Sequence, residues 1–288
     1  MNEPDHIPRG HAVRLVTGDP GEQPSRWLAF VAAVQFLTRI RLSSGASNAS
    51  SALGHCPVFF PLVGALIGIL AAASTGLGAL VWPPWLAVLA ALAFEAWLTG
   101  ALHEDAVADF CDAFGGGHTR DQLLTILQDS RIGAFGALGL LFAVSLRTGA
   151  MMTLIIQWGV AGWPLWSSAF VASSAAGRWV MVLAMGLFAP LAGRESLSRT
   201  IGGALSRRER VESGLWALAA IAPFAVLLPL QFLFAVALLI PVVGGLLHLI
   251  LRKLGGLTGD CLGCVGYVSQ VVVLLAAAAR KQPWGPLS

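Results

Sequence analysis

The stretch Cys56–Trp82, CPVFFPLVGALIGILAAASTGLGALVW, decides the fold because it contains no charged residue. A second stretch, Ile132–Val160, contains a single charge, that of Arg147. Both are longer than the roughly 20 residues that a helix needs to cross the hydrocarbon region of a bilayer. The two stretches therefore predict transmembrane helices and not the core helices of a soluble protein.

The composition of the whole chain supports the same fold class. Of its 288 residues, 56% are hydrophobic and 11% are charged, whereas a soluble domain carries about 25% charged residues. Such a chain has too little polar surface to cover a globule. The formal net charge is only +3 and no basic stripe with interleaved aromatic residues is present, which excludes a nucleic-acid partner. We predict an all-α integral membrane protein, a bundle of about six to eight transmembrane helices in the lipid bilayer.

Apolar runs along the chain give the expected spans. Spans are predicted near residues 57–82, 84–102, 133–158 and 164–189, and the apolar stretch 215–251 is long enough for a helical pair that turns near Pro229. The closing segment 265–279 is shorter than a full span, which favours a tilted or re-entrant helix. Residues 27–40 predict either an interfacial helix, which their length favours, or a shallow span.

The two parts of the chain differ in character. Residues 1–25 are polar, with proline and glycine throughout and without the apolar core and cleavage site of a signal peptide. They predict a disordered polar tail. Residues 26–288 are expected to form a single polytopic membrane domain, because the spans share one bundle and no solenoid period is present.

Positive charge predicts the orientation of the bundle. Residues 190–213 hold five arginines, whereas the links near 83–84 and 159–162 hold no charge, so the arginine-rich loop is expected to be cytoplasmic. An even number of crossings then precedes the polar stretches 103–131, 190–213 and 252–264. The acidic and the glycine-rich loops are therefore expected to face the cytoplasm together. The five arginines are Arg194, Arg199, Arg207, Arg208 and Arg210.

The segment from His103 to Gly136, HEDAVADFCDAFGGGHTRDQLLTILQDSRIGAFG, holds six of the fifteen acidic residues. In a helix, Asp105, Asp109 and Asp112 would fall within about 60° of each other, with Glu104 at the rim of the same face. Carboxylates this close to one another and to the bilayer repel and need compensation. Hard oxygen ligands without a histidine or thiolate pattern favour magnesium or manganese over zinc. The spacing predicts these three aspartates as ligands of a Mg²⁺ ion that also binds substrate phosphate.

Residues that follow the acids have the chemistry to bind that phosphate. Gly115 and Gly116, with Gly117, allow the backbone to approach a ligand closely or to turn sharply. Arg120 and Arg131 are predicted to clamp phosphate oxygens in forked geometry. The alternative is an acidic, solvated loop with a glycine turn.

Polar residues elsewhere in the chain add further candidates. The glycine-rich turn Gly255–Asp260 ends in an acid and either completes the metal site, holds a phosphate on its N–H groups or is a structural turn. Glu95, Arg147 and Arg178 lie inside predicted spans, where charges are usually functional or paired. Arg178, near the middle of its span, is predicted to be buried and to pair with an acid or reach a substrate phosphate. His103 is a candidate only through its adjacency to the acids.

The run HEDAVADFCDAFGGG followed by QDSRIGAFG resembles the cobalamin synthase family, the adenosylcobinamide-GDP ribazoletransferases. Other pieces agree in order, and together they span residues 30 to 275. These pieces are QFLTRI at 35–40, FPLVG at 60–64, GRW at 177–179 and GLTGD at 256–260.

The resemblance implies a Mg²⁺-dependent enzyme of the bacterial inner membrane, acting late in cobalamin biosynthesis. Such an enzyme joins adenosylcobinamide-GDP to α-ribazole or its 5′-phosphate and releases GMP. Family carboxylates carry over onto Glu104, Asp105, Asp109, Asp112, Asp129 and Asp260. With the residue-based analysis, the candidate site then comprises catalytic Glu104, Asp105 and Asp129, substrate-binding His103, Gly115, Gly116, Arg120, Arg131, Arg178 and Asp260, and metal-binding Asp105, Asp109 and Asp112.

Two positions depart from the family pattern. Tyr267 and Gln270 stand where family members often carry glutamate, and weaker metal binding is expected if those glutamates help to hold the metal. The polar tail up to Ser25 is additional.

Two other functions stay open on the residues alone. A CDP-alcohol phosphotransferase also uses aspartates on membrane helices and a nucleotide leaving group. Its second aspartate is normally followed by glycine and later by Ala-Arg, whereas Asp112 is followed by Ala-Phe-Gly-Gly-Gly. A cation or proton transporter would carry its acids in mid-span at the interface of internal repeats, and no repeat is visible. The sequence also leaves open a homo-oligomer, or contact with other enzymes of the corrinoid pathway.

Overall fold

A computed structural model describes residues 25–42, 49–191 and 205–279. In this part of the chain there are eleven α-helices and two short 3-10 turns, at Cys56–Phe59 and Val160–Gly162. The predicted tail up to residue 24, Arg194 and Arg199 lie outside the described residues. The helices are α1 (Arg26–Leu37), α2 (Ala49–His55), α3 (Phe60–Gly78), α4 (Pro84–Thr99), α5 (Leu102–Gly116), α6 (Arg120–Ile126), α7 (Ala134–Trp158), α8 (Trp163–Leu187), α9 (Arg207–Leu227), α10 (Pro229–Leu254) and α11 (Gly259–Ala277).

Six helical stretches of the described residues are long and apolar enough to cross a membrane. The first is the continuous run Ala52–Gly78, and the others are α7, α8 with the turn before it, α9, α10 and α11. A seventh crossing results if α4 and α5 count as one broken span. The protein is therefore an all-α multi-pass membrane protein, as the sequence predicted. The helical pair does turn at Pro229, where α10 begins directly after Leu228.

The predicted span at 84–102 is wrong in its length. Helix α4 has only 16 residues and ends at Thr99, because the next residue, Gly100, is left-handed with a φ of 70°. Ala101 follows with a φ of 56°. The chain then continues as α5 at an angle of 89° to α4. The segment 103–131 was predicted as a loop, but it is largely helical. Helix α5 carries the acids, and α6 follows the glycines.

The closing segment is also longer than predicted. Helix α11 has 19 residues, and most of them are buried inside the protein. It begins in the polar turn because the Thr258 side chain accepts a hydrogen bond from the Cys261 N–H and so caps the first turn. The prediction from hydropathy missed this first turn, because the turn is polar. Helix α1, with 12 residues, is short for a span, which agrees with the interfacial alternative.

Small residues let the central helices approach closely. Helix α8 packs on α3, α9 and α11, and α5 packs on α11 and α7. A Cβ atom at Gly68 of α3 would lie 2.7 Å from the Cα of Val171 of α8, and one at Gly177 of α8 would lie 2.6 Å from the Gly266 carbonyl oxygen of α11. Membrane helices use such contacts because lipid gives no hydrophobic drive for their association.

The three polar stretches meet at one end of the bundle. The Leu191 N–H donates to the Leu257 carbonyl (3.0 Å), and the Leu257 N–H donates to the Ala189 carbonyl (3.2 Å). These bonds join the end of α8 to the turn between α10 and α11. Arg120 of α6 reaches the same end of α10 through the Leu254 carbonyl.

Candidate active site

Helix α5 displays the predicted row of carboxylates. Asp105 is exposed, and Asp109 and Asp112 are half-buried on the same face. Helix α11 packs on α5, where a Cβ atom at Gly263 would lie 2.5 Å from that of Ala106. Asp260, one turn before Gly263, adds to the repulsion that Asp105 and Asp112 exert on the Asp109 carboxylate. We call these four residues the carboxylate face. The structure therefore brings the turn Gly255–Asp260 to the acidic helix, which agrees with the alternative in which this turn completes the site.

Asp112 has a second partner that the sequence analysis missed. Its carboxylate accepts hydrogen bonds from the backbone N–H groups of Gly133 (2.6 Å) and Gly136 (2.8 Å). These N–H groups belong to the first turn of α7 and have no partner within that helix. A carboxylate at a helix N-terminus is also favoured by the helix dipole. Asp112 thus anchors α5 to α7, and only its remaining lone pairs are available to a metal.

The glycines of RIGAFG make that anchor possible. A Cβ atom at Gly136 would overlap the Asp112 carboxylate and lie 2.8 Å from the Ala108 carbonyl oxygen. One at Gly139 would overlap the Cys111 sulfur. The spacing of three residues between Gly133, Gly136 and Gly139 was a signal in the sequence that this side of α7 is closely packed, but it does not identify the partner.

The glycines after the acids have different surroundings. A Cβ atom at Gly115 would lie 2.6 Å from the Phe135 ring, so the close approach here is to a side chain of the protein. Gly116 ends α5 and is exposed, with open space around it except for Ile126. Gly117 has a φ of −92°, which any residue adopts. A sharp glycine turn is therefore not formed, and substrate binding by Gly115 and Gly116 stays a prediction.

Asp129 and Arg131 pair with each other on the link between α6 and α7. The Arg131 Nη2 donates to Asp129 Oδ2 at 2.6 Å, and its Nε and backbone N–H also donate to this carboxylate. These bonds lower the pKa of Asp129 to about 2, because they stabilise its charged form. The Arg131 side chain is 87% exposed. Among the described residues, neither side chain forms a hydrogen bond or ion pair with the carboxylate face, so the catalytic and phosphate-binding roles predicted for the pair stay predictions.

Arg120 also has a partner within the protein. Its Nε donates to the Leu254 carbonyl (2.9 Å) at the end of α10, where helix carbonyls lack intrahelical partners. This bond docks α6 on α10. The Thr119 side chain caps α6 together with Gln122. The phosphate clamp predicted for Arg120 would have to use its other guanidinium nitrogens.

Beneath the carboxylate face lies a buried group of charges. Arg147 of α7 donates through Nη2 to both oxygens of Glu95 of α4, at 2.8 and 2.7 Å. Its Nη1 lies 3.7 Å from Glu104 of α5, and the Tyr267 ring centroid lies 5.5 Å from its guanidinium carbon. The expectation that charges inside spans are paired is confirmed for Glu95 and Arg147.

Arg178 is buried, as predicted, but its partners are neutral. Its Nη1 donates to Gln270 Oε1 (2.9 Å) and to Ser174 Oγ (3.1 Å). No acid lies within ion-pair distance of it among the described residues. His103 is 3% exposed, and neither of its ring nitrogens has a hydrogen-bond partner in the described part of the chain. Both side chains are therefore buried in the bundle, and the substrate-binding roles predicted for them stay predictions.

Comparison with known proteins decides the family. The profile of the cobalamin-5-phosphate synthase family matches residues 29–278. The chain belongs to this family. Curated relatives named adenosylcobinamide-GDP ribazoletransferase include one from Ralstonia nicotianae, 34% identical over 87% of this chain and 93% of the relative, and one from Bradyrhizobium diazoefficiens, 34% identical over 86% and 92%. Another, from Nitratidesulfovibrio vulgaris, is 34% identical over 87% and 95%. No solved structure matches.

Membership of the cobalamin-5-phosphate synthase family makes the chain a membrane-embedded transferase of cobalamin biosynthesis. The two alternative functions, a CDP-alcohol phosphotransferase and a cation or proton transporter, are therefore wrong. The structure also shows where the two departures from the family pattern lie. Tyr267 faces the buried Arg147, and Gln270 binds the buried Arg178.

The donor set at the carboxylate face fits magnesium, although not as predicted. Within the described ranges, no three His, Cys, Asp or Glu side chains form a group that could hold a metal ion. The expected three-aspartate cage is therefore not formed, because Asp112 is turned towards α7. Asp105 and Asp109 remain without a hydrogen bond from any described residue. Magnesium is usually held by one or two carboxylates plus substrate phosphates and water, and does not need a protein cage.

Proposed function

We propose that the chain joins adenosylcobinamide-GDP to α-ribazole or α-ribazole 5′-phosphate and releases GMP. The products are then adenosylcobalamin or its 5′-phosphate. The observation that carries the proposal is the meeting of Asp260 with the acids of α5 at one end of a transmembrane bundle. It is supported by the family and by the names of the relatives.

Magnesium is the cofactor that we assign to this face. One or two of the acids Asp105, Asp109 and Asp260 would hold it, together with substrate phosphate and water, because no three described side chains form a metal-binding group. When bound, the ion neutralises charge on the diphosphate and on the departing GMP, which is the main demand of phosphoryl transfer.

The protein side chains supply the other requirements of the transfer. The attacking ribose hydroxyl must lose a proton, and Asp105 is the exposed carboxylate best placed to accept it. Glu104 is turned towards Arg147 and keeps α5 in place. Gly116 leaves open space at the end of α5 through which a phosphate can approach the face.

A reconstitution assay tests the proposed reaction. Purified protein in detergent or lipid bilayers is given adenosylcobinamide-GDP and α-ribazole, with GMP release measured with and without magnesium. We expect GMP in equal amount to the corrinoid product, and none when magnesium is chelated. GMP release without α-ribazole, or a full rate with chelator, would contradict the proposal.

We also place the carboxylate face on the cytoplasmic side of the bacterial inner membrane, where nucleotide-activated substrates are made. The positive-inside rule supports this side for the arginine-rich stretch. Gly116→Cys, at the end of α5, should resist an impermeant thiol reagent added to spheroplasts. Val81→Cys, in the exposed link between α3 and α4 at the other end of α3, is the matched control and should react. The opposite pattern would invert the topology.

A further inference from the structure

The bend between α4 and α5 determines the direction of α5 and therefore the orientation of the carboxylate face. The two helices meet at 89°, and the joint consists of two consecutive left-handed residues, Gly100 and Ala101. Glycine adopts this conformation readily, but alanine does so at a cost because its Cβ crowds the backbone. The joint alone therefore does not fix the angle, and contacts elsewhere must hold it.

Arg147 contacts both arms of the bend from a third helix. Its Nη2 binds the two oxygens of Glu95, which lies on α4 before the joint. Its Nη1 faces Glu104, which lies on α5 after the joint, at an ion-pair distance of 3.7 Å. One guanidinium on α7 thus bridges α4 and α5, which both also pack on α7; apart from α7, α4 packs mainly on α3 and α5 mainly on α11.

Because the contacts of Arg147 with Glu95 and Glu104 are largely buried, they have a strong effect on the position of α5. The Arg147 and Glu95 side chains are each 4% exposed, whereas Glu104 is 17% exposed. Charges removed from water interact more strongly than exposed ones, and an unpaired buried charge is strongly unfavourable. Glu104 is therefore the link between the buried charges and its neighbour Asp105 on the open face.

We propose that Arg147 is a positioning residue, which fixes the angle of α5 through Glu95 and Glu104 and so sets the carboxylate face for catalysis. The catalytic part of this inference rests on the proposed function. The part that concerns the bend does not.

The test perturbs Glu95, which touches neither substrate nor metal in this scheme. Glu95→Gln keeps the shape but removes the charge that holds Arg147. Thr75→Val is the matched control, since Thr75 is fully buried and, among the described residues, its hydroxyl bonds only to Ala71 of its own helix. Each variant is assayed for kcat and KM by GMP release.

A distance measurement accompanies the kinetics and needs no substrate. Spin labels are placed at Trp85→Cys, at the exposed start of α4, and at Gly116→Cys, where added side-chain atoms meet open space. Cys111 is replaced by serine, because it is partly exposed and could react with the label. The other three cysteines are buried and are kept. The distance between the labels reports the angle between the two arms.

We expect Glu95→Gln to lower kcat about 10- to 100-fold with little change in KM, since a displacement of about 1 Å has effects of that size. The label distance should shift or broaden in Glu95→Gln and stay unchanged in Thr75→Val. Unchanged turnover in Glu95→Gln overturns the proposal, and so does lost turnover with an unchanged distance. If the wild-type protein releases no GMP, the proposed function fails, and the distance alone decides whether Arg147 holds the bend.

Discussion

The anchor of α5 on α7 gives the most direct test of how the carboxylate face is built. In Asp112→Asn the amide keeps the shape, but it offers one acceptor oxygen and turns an NH₂ donor towards a backbone N–H. One of the two bonds to Gly133 and Gly136 is therefore lost. A hydrogen bond to a charged group contributes about 1.5–3 kcal/mol, and the charge at the N-terminus of α7 contributes about 0.3–1 kcal/mol.

Repulsion from Asp109 partly offsets this loss, because the amide is neutral. We expect a net destabilisation of about 2 kcal/mol for Asp112→Asn. Asp109→Asn is the matched comparison on the same helix face. It removes a repelled charge and no hydrogen bond from a described residue, so its stability should equal or exceed that of the wild-type protein.

The assay is reversible unfolding of the purified protein in mixed micelles, followed by tryptophan fluorescence. The expected order of stability is Asp109→Asn at or above wild type and Asp112→Asn well below it. If Asp112→Asn is as stable as wild type and its turnover recovers fully at high magnesium, Asp112 acts as a metal ligand. The anchoring role would then be refuted.

Further predictions concern turnover and packing. Asp109→Asn should lower kcat more than KM and recover in part at high magnesium, whereas Asp121→Asn, on the exposed first turn of α6, should stay near wild type; equal losses would show that only overall charge matters. Arg178→Leu should lower both turnover and stability, because it leaves the Gln270 oxygen buried without its donor; unaltered values in GMP release and unfolding would remove any role for this arginine. Gly136→Ala should destabilise the protein by about 1–3 kcal/mol through overpacking against Asp112 and the Ala108 carbonyl, and an unfolding midpoint equal to wild type would mean that α5 and α7 can separate freely.

Local patterns were sufficient for much of the fold. Runs without charge predicted the long spans, since a helix of about 20 apolar residues fits the bilayer. The sequence missed the short α4 and the full length of α11. Both depend on features at helix ends, namely two left-handed residues after Thr99 and a threonine cap before Gly259, to which a count of apolar residues is insensitive.

The sequence by itself determined which residues share a helix face, because the helical period fixes the directions of Asp105, Asp109 and Asp112. It also marked Glu95, Arg147 and Arg178 as charges that need partners inside a membrane. Only the tertiary structure decided what those partners are. Asp112 lies against the N–H groups of Gly133 and Gly136, and Arg147 binds Glu95. These pairs lie 21 to 52 residues apart in the chain, and helix packing brings them together, which no local pattern encodes.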